Sequence, residues 1–168
     1  ITEKGIKWNS KLILPYEPFI GTIGTSPRIY AIDSLTPDSH GGNMDLPDIA
    51  PGATLYLPVR ITGGLLFLGD CHACQGDGEL CGNAIEFPTL TEIRIDLIKN
   101  QSINWPYLEN KDFIMGIGSA RPLEDAVKIA FDVLIELMVE KFSFNKWDAY
   151  FLVSQVGRVR LGNVVDPK

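Results

Sequence analysis

The order of apolar and polar residues divides the chain into a strand-like first part and a helical second part. Strand-forming residue types predict a strand at residues 19–25, and alternation predicts strands at 54–61, 84–87 and 90–98. An apolar run at 64–68 predicts a buried strand that continues to residue 74. We expect residues 54–61 to pair with 64–74 across a turn at Thr62 and Gly63.

The apolar period changes after residue 121. Apolar residues recur every three or four positions from Pro122 to Lys141, which predicts a long amphipathic helix. A shorter helix at about 146–155 ends near Gly157, and residues 158–165 are predicted to close the chain as a strand. Residues 115–119 match a phosphate loop weakly, and we interpret them as a strand that leads to the long helix.

These elements predict a β-rich α+β fold, with a β-sandwich or barrel-like sheet, one long amphipathic helix and a short C-terminal helix. We divide the chain into a β-rich metal and active-site region, residues 1–100, and an α+β C-terminal lobe, residues 101–168. The alternative is that both regions form one compact domain.

Composition narrows the function classes. The chain has 168 residues, of which 45% are hydrophobic and 21% charged, with a net charge of −6, as in an ordinary globular protein. The acidic balance argues against nucleic acid or an anionic membrane as a partner. We find neither an apolar run of about 20 residues nor a secretory signal, so we expect a cytoplasmic protein. The three cysteines fit reduced thiols.

Two glycine-rich clusters carry groups that bind metals or move protons. Residues 69–79 place Asp70 and His72 two positions apart at the end of a predicted strand, where both side chains emerge on one face, followed by Glu79. Residues 38–45 hold His40 and Asp45. Aspartate, glutamate and histidine are the ligands of hydrolytic zinc sites, so the two clusters together predict a metal site.

Each cluster has a simpler interpretation. A histidine in a glycine-rich loop is often only hydrogen-bonded, and residues 77–79 also fit a plain β-turn. Cys71 and Cys74 have the spacing of a redox pair or half of a zinc knuckle, but small buried residues describe them better. If Glu86 faces inward, it needs a partner or a raised pKa.

The two clusters resemble the acetamidase/formamidase family, whose members carry His-Gly-Gly-Asn-x-Asp and then Gly-Asp-x-His-Ala-x-Gln-Gly-Asp-Gly-Glu at about this separation. Residues 40–45 and 69–79 match both motifs, and residues 57–59, 81–86 and 164–167 also look like the family pattern. Family members are longer, and this chain resembles their C-terminal part. We therefore expect homo-oligomerisation or pairing with an N-terminal segment or chain.

The resemblance implies hydrolysis of a small linear amide, of the formamide or acetamide type, to a carboxylate and ammonia by a metal-activated water. The implied cofactor is a divalent metal, with zinc favoured and calcium as the alternative. We assign His40, Asp45, Asp70 and His72 to the metal. Glu79 would transfer protons with Glu86 behind it, and Asn43 and Gln75 would contact the substrate.

Three rival functions remain open at this point. A cysteine amidase would use Cys74 or Cys71 as its nucleophile. A non-catalytic β module could bind a metal or small ligand in a cupin-like arrangement, although Asp70 or Cys74 stands where a cupin has its second histidine. A structural part of a larger amidase could bind calcium through oxygen ligands, namely Asp38, Asp45, Asp70 and Asp77.

Overall fold

The computed structural model describes residues 1–168, which form nine β-strands and two α-helices. The strands are β1 (Ile6–Lys7), β2 (Ile13–Leu14), β3 (Phe19–Gly24), β4 (Gly41–Asn43), β5 (Thr54–Tyr56), β6 (Phe67–Cys74), β7 (Ile85–Glu86), β8 (Tyr107–Glu109) and β9 (Ile114–Gly116), and the helices are α1 (Leu123–Phe142) and α2 (Lys146–Val156). Neither helix combines the length and apolar character needed to cross a membrane.

The strands form three separate antiparallel sheets. A four-stranded sheet has the order β4-β3-β6-β7, a three-stranded sheet has the order β5-β8-β9, and β1 pairs with β2. The fold is α+β and rich in β structure, as the sequence predicts. The closer arrangement as a sandwich or barrel stays a prediction.

The predicted hairpin between residues 54–61 and 64–74 is wrong. β5 pairs with β8, with Thr54 opposite Glu109, whereas β6 pairs with β3 and β7. Alternation along a strand reports which side chains face a core, but it does not identify the neighbouring strand. Because β5 and β8 share a sheet, the predicted boundary at residue 100 runs through a sheet that both regions build.

Two predicted strands are absent. Residues 90–98 make no strand ladder, and Ile95 and Leu97 on their apolar face are 70% and 60% exposed. Residues 157–168, which we name the closing segment, dock on the glycine turn instead of joining a sheet. The Gly78 N–H donates to the Leu161 carbonyl at 2.8 Å, and the Val164 N–H donates to the Gly78 carbonyl at 3.0 Å.

Both predicted helices are confirmed, and α1 explains the glycines that precede it. A Cβ atom at Gly116 would lie 2.2 Å from the Ala130 carbonyl oxygen, and one at Gly118 would lie 2.3 Å from that of Ala126. Only glycine allows the backbone of residues 116–118 to approach α1 so closely. These glycines therefore serve helix packing, and the strand interpretation of this segment holds for β9.

The largest apolar core cluster supports the candidate site. Its buried members come from several elements, and they are Ile23, Met44, Leu46, Ile49 and Leu108. Met44 and Leu46 are the chain neighbours of Asp45, and both are buried. Burial of the two neighbours anchors the backbone that presents the Asp45 carboxylate.

Candidate metal and active site

The four-stranded sheet positions the acidic and imidazole groups. Asp70 and His72 lie on β6, and Asp45 follows the end of β4 by two residues. Strand β3 lies between them, and the Asp45 N–H donates to its Gly21 carbonyl at 3.1 Å. Asp45 and Asp70 have φ angles of 44° and 55°, in a region that non-glycine residues rarely adopt and that occurs often at functional sites.

Three of the predicted ligands converge. Ligand atoms of Asp45, Asp70 and His72 all lie within 4.8 Å of one another. Nε2 of His72 is 3.2 Å from Oδ1 of Asp70 and 3.9 Å from Oδ1 of Asp45. His72 and Asp45 are each 1% exposed, whereas the side chain of Asp70 is 31% exposed, so the group is buried on one side and reaches solvent through Asp70.

The two oxygens of the Asp45 carboxylate have different surroundings. Oδ2 accepts hydrogen bonds from the amide nitrogens of Asn43 at 2.9 Å and Asn163 at 2.6 Å. Oδ1 is buried and has no hydrogen-bond partner. Burial, reinforced by the nearby charge of Glu79, raises the pKa of Asp45 to about 7. A buried oxygen acceptor without a donor, beside two further ligand atoms, fits a cation.

A second group shares His72 and faces a polar cleft. Glu86 on β7 lies opposite His72 in the ladder with β6, and ligand atoms of His72, Glu79 and Glu86 lie within 4.8 Å of one another. The cleft has a volume of about 290 Å³, and its lining includes Thr22, Asn43, Asp70, Glu79, Glu86 and Asp166. Burial raises the pKa of Glu79, and His72 opposes this effect.

Gly21 provides space for the two carboxylates, a role that the sequence analysis missed. A Cβ atom at this position would lie 2.7 Å from Oδ1 of Asp45 and 2.9 Å from Oδ2 of Asp70. Any side chain here would therefore displace the proposed ligands. A glycine in the interior of a strand, where it weakens the strand, was the available signal.

The closing segment contributes two further residues that the sequence analysis did not assign. Asn163 donates through Nδ2 to Oδ2 of Asp45 and to Oδ2 of Asp166, the latter at 2.7 Å. Asp166 also accepts from the Asn43 amide at 2.7 Å and lines the cleft. The only signal was that residues 164–167 match the family pattern.

The amides assigned to substrate binding are occupied by the protein. Nε2 of Gln75 donates to the carbonyls of Asp45 at 2.7 Å and Gly162 at 3.0 Å, and its Oε1 lies 2.8 Å from Nδ1 of His72. The Asn43 nitrogen donates to Asp45 and Asp166, and its oxygen accepts from the Thr22 hydroxyl. Both amides therefore hold other protein groups in position. Gln75 has no free N–H to donate to a substrate, so its contacts do not support the predicted substrate role.

His40, the fourth predicted ligand, lies outside both groups of possible ligands. It is buried and lines a separate pocket with Arg28 and Arg60. Burial lowers the pKa of His40, Asp38 opposes this effect, and Lys168 and Arg60 add to it. Nδ1 of His40 is buried without a hydrogen-bond partner, but no group of three ligand atoms includes it, so the geometry gives the metal assignment of His40 no support.

The alternative calcium set is not assembled either. Asp38 pairs with Lys168, and Asp77 accepts a hydrogen bond from the Arg160 guanidinium at 2.9 Å. Neither carboxylate belongs to a group with Asp45 and Asp70. The oxygen-only set expected for calcium therefore reduces to the two aspartates that also contact His72.

Cys74 lacks the features of a nucleophile. Cys74 follows a bulge in the β6–β7 ladder, which interrupts its alternation with His72, and no cysteine belongs to a candidate ligand group. Burial raises the pKa of Cys74, with the charge of Glu17 adding to it, and a thiol with a raised pKa is a poorer nucleophile. A mechanism with Cys74 as the nucleophile loses its support.

The structure is that of an α+β protein that gathers an imidazole and several carboxylates, groups able to hold a metal ion, at the edge of a small polar cleft. The model of the acetamidase/formamidase family matches residues 29–167. This chain belongs to the acetamidase/formamidase family.

Relatives and solved structures agree with this assignment. The chain is 42% identical over 69 residues to a formamidase of Methylophilus methylotrophus, covering 40% of this chain and 17% of the relative. It is 35% identical over 85 residues to an acetamidase of Mycolicibacterium smegmatis, and this match covers 49% of this chain and 21% of the relative.

The fold is similar to that of an acetamidase from Yersinia enterocolitica, with a TM-score of 0.93 and 61% identity over 95% of this chain and 48% of that structure. The fold is also similar to that of a predicted acetamidase/formamidase from Thermoanaerobacter tengcongensis, with a TM-score of 0.90 and 36% identity over 99% of this chain and 56% of that structure. The chain thus spans about half the length of these solved structures.

Proposed function

We propose that this chain carries the active site of an amidase that hydrolyses small linear amides to a carboxylate and ammonia with the help of a divalent metal. The observation that carries the proposal is the buried, partnerless Oδ1 of Asp45, which lies 3.9 Å from Nε2 of His72. The family and the names of the relatives support the substrate class. The polar cleft of about 290 Å³ is large enough for a small amide.

Asp45, Asp70 and His72 are the residues that would hold the metal. Imidazole in the donor set favours zinc over calcium, which prefers oxygen ligands. A divalent cation supplies Lewis acidity when bound, which polarises an amide carbonyl and makes water more acidic. The three residues fit this role because their ligand atoms lie within 4.8 Å of one another and Oδ1 of Asp45 is buried without a hydrogen-bond partner.

Glu79 is proposed to move the proton. Its raised pKa, caused by burial, suits a group that first accepts a proton and then donates it. In hydrolysis the water loses a proton to Glu79 as its oxygen bonds to the amide carbon, and Glu79 then delivers that proton to the nitrogen as the carbon–nitrogen bond breaks. Without this delivery the leaving group would be an amide ion, which is very unstable. Glu86 lies beside Glu79, and its negative charge raises the pKa of Glu79 further.

The proposal is tested with Zn²⁺ binding and ammonia release from formamide and acetamide. Glu79→Gln should bind Zn²⁺ normally and lose turnover by about 100- to 10,000-fold, the usual contribution of a general acid or base. Glu136→Gln, at an exposed carboxylate on α1, is the matched control and should behave like the wild type. Unchanged turnover in Glu79→Gln, or unchanged Zn²⁺ binding in Asp45→Asn, would contradict the assignment.

We also propose that the complete enzyme needs a further chain or segment, or a second copy. Large apolar side chains stay exposed in two places, at residues 65–68 and along residues 93–98. Exposed apolar surface of this kind commonly marks an interaction site. Light scattering and intact mass of the purified protein would identify a companion chain or an oligomer. The cytoplasmic location stays a prediction.

A further inference from the structure

Gln75 connects three parts of the site through one amide group. Its Nε2 donates to the carbonyls of Asp45 and Gly162, and its Oε1 lies 2.8 Å from Nδ1 of His72. Asp45 follows β4, His72 lies on β6 and Gly162 belongs to the closing segment. The three contacts use both hydrogens of the amide and its oxygen.

The two backbone carbonyls determine the orientation of this amide. A carbonyl oxygen only accepts hydrogen bonds, so the amide nitrogen must face Asp45 and Gly162. The amide oxygen is then forced toward His72, and it also only accepts. Nδ1 of His72 must therefore carry the hydrogen. The opposite orientation would place the amide oxygen against two other acceptors and leave it without a donor.

A proton on Nδ1 leaves Nε2 of the neutral ring with a free lone pair. Nε2 lies 3.2 Å from Oδ1 of Asp70 and 3.9 Å from Oδ1 of Asp45, and a neutral ring with its lone pair on Nε2 is the form that binds a metal through this atom. In the doubly protonated ring Nε2 donates to the Asp70 carboxylate instead, so the tautomers are compared for the neutral ring. Without an acceptor at Nδ1, the neutral ring would place its hydrogen on Nε2 and donate it to the Asp70 carboxylate. That hydrogen would occupy the position of the metal.

We propose that Gln75 is a positioning residue that holds His72 in the tautomer able to bind a divalent cation through Nε2. The inference rests on the proposed function, because the cation is the proposed metal. It also links the site to the closing segment, since the Gly162 carbonyl helps to orient the amide. Residues that orient a metal-binding histidine typically contribute about 10- to 100-fold to metal affinity, and we expect an effect of this size from Gln75.

The test uses ¹⁵N-labelled histidine, because the chain has two histidines and the spectrum is simple. Nitrogen shifts of the neutral ring are recorded at alkaline pH, without metal and with Zn²⁺, and Zn²⁺ affinity is measured by calorimetry. The wild type should show a hydrogen on Nδ1 of His72 in both states. Gln75→Leu should move the hydrogen to Nε2 and weaken Zn²⁺ binding by about 10- to 100-fold.

Gln75→Glu is the conservative variant, because it keeps an oxygen acceptor for Nδ1 and loses the two donated hydrogen bonds. It should retain the wild-type tautomer, and its Zn²⁺ affinity should lie above that of Gln75→Leu. The His40 signals report whether each variant is folded. A hydrogen on Nε2 in the metal-free wild type, or an unchanged tautomer in Gln75→Leu, would overturn the inference. If the wild type shows the hydrogen on Nδ1 of His72 but does not bind Zn²⁺, the proposed metal site is overturned and the tautomer assignment stands.

Discussion

A methyl group at Gly21 is the most direct perturbation of the proposed metal ligands. Gly21 lies on β3, and its Cβ position would be 2.7 Å from Oδ1 of Asp45. Ordinary van der Waals contact begins at 3.4 Å, so full relief requires a shift of 0.7 Å for this oxygen, the difference between 3.4 and 2.7 Å, and of 0.5 Å for Oδ2 of Asp70, the difference between 3.4 and 2.9 Å. The backbone carbonyl oxygen of Asp70 also lies 2.7 Å from the Cβ position and limits how far the methyl group itself can move away.

These displacements are large compared with the tolerance of a metal site. Distances from zinc to its ligands usually stay within about 0.2 Å of their ideal values. Insertion of a methyl group into a packed site costs about 1–3 kcal/mol. The carboxylates can relax away from the methyl group without a metal but not when they hold one, so this cost falls on the bound state and corresponds to about 5- to 150-fold in the binding constant. We expect Gly21→Ala to weaken Zn²⁺ binding within this range.

The assay is Zn²⁺ titration by calorimetry, with urea unfolding to confirm that the variant is folded. Gly69→Ala is the matched control, because Gly69 lies on the adjacent strand β6 and its Cβ position has nothing within 4 Å. The control should bind Zn²⁺ like the wild type. If Gly21→Ala binds Zn²⁺ as tightly as Gly69→Ala, the carboxylates beside Gly21 are not the ligands.

Two further predictions concern stability. Gly116→Ala should lower the free energy of unfolding by about 1–3 kcal/mol, because its Cβ would lie 2.2 Å from the Ala130 carbonyl oxygen. Gly76→Ala, whose Cβ position has nothing within 4 Å, is the control and should leave the free energy unchanged. Urea unfolding compares the two variants. Burial raises the pKa of Asp45 from 3.8 to about 7, so the folded metal-free protein binds this proton more tightly than the unfolded chain. The stabilisation from this group is complete below pH 3.8 and is lost as the pH rises through about 7, and Asp45→Asn should remove this part of the pH dependence.

The sequence predicted the elements whose signals are local. The three-to-four-residue apolar period identified α1, strand-forming residues identified β3, and an apolar run identified β6, although residues 65–68 of that run are exposed and not buried as predicted. The proximity of Asp70 and His72 followed from their spacing on one strand. These features depend on neighbouring residues, and the periodicity of a helix or strand expresses them directly.

The pairing between strands could not be predicted from the sequence. The sequence predicted β5 beside β6, whereas β5 pairs with β8, more than 50 residues away. It also predicted strands at residues 90–98 and 158–165, which have no ladder in this chain. A strand pattern describes the face of one element, and the partner that completes its hydrogen bonds is decided by the whole fold.

By itself the sequence determined the α+β class, the family, the two clusters and the acidic character of the site, since composition, period and motif are properties of the chain. Tertiary structure alone decided that Asp45 joins Asp70 and His72 while His40 does not, and that Gln75 and Asn163 orient these groups. The physical reason is that hydrogen bonds of these amides span up to 118 residues of sequence and depend on distances of a few ångströms. Such distances are set only when the sheet, the core and the closing segment have packed together.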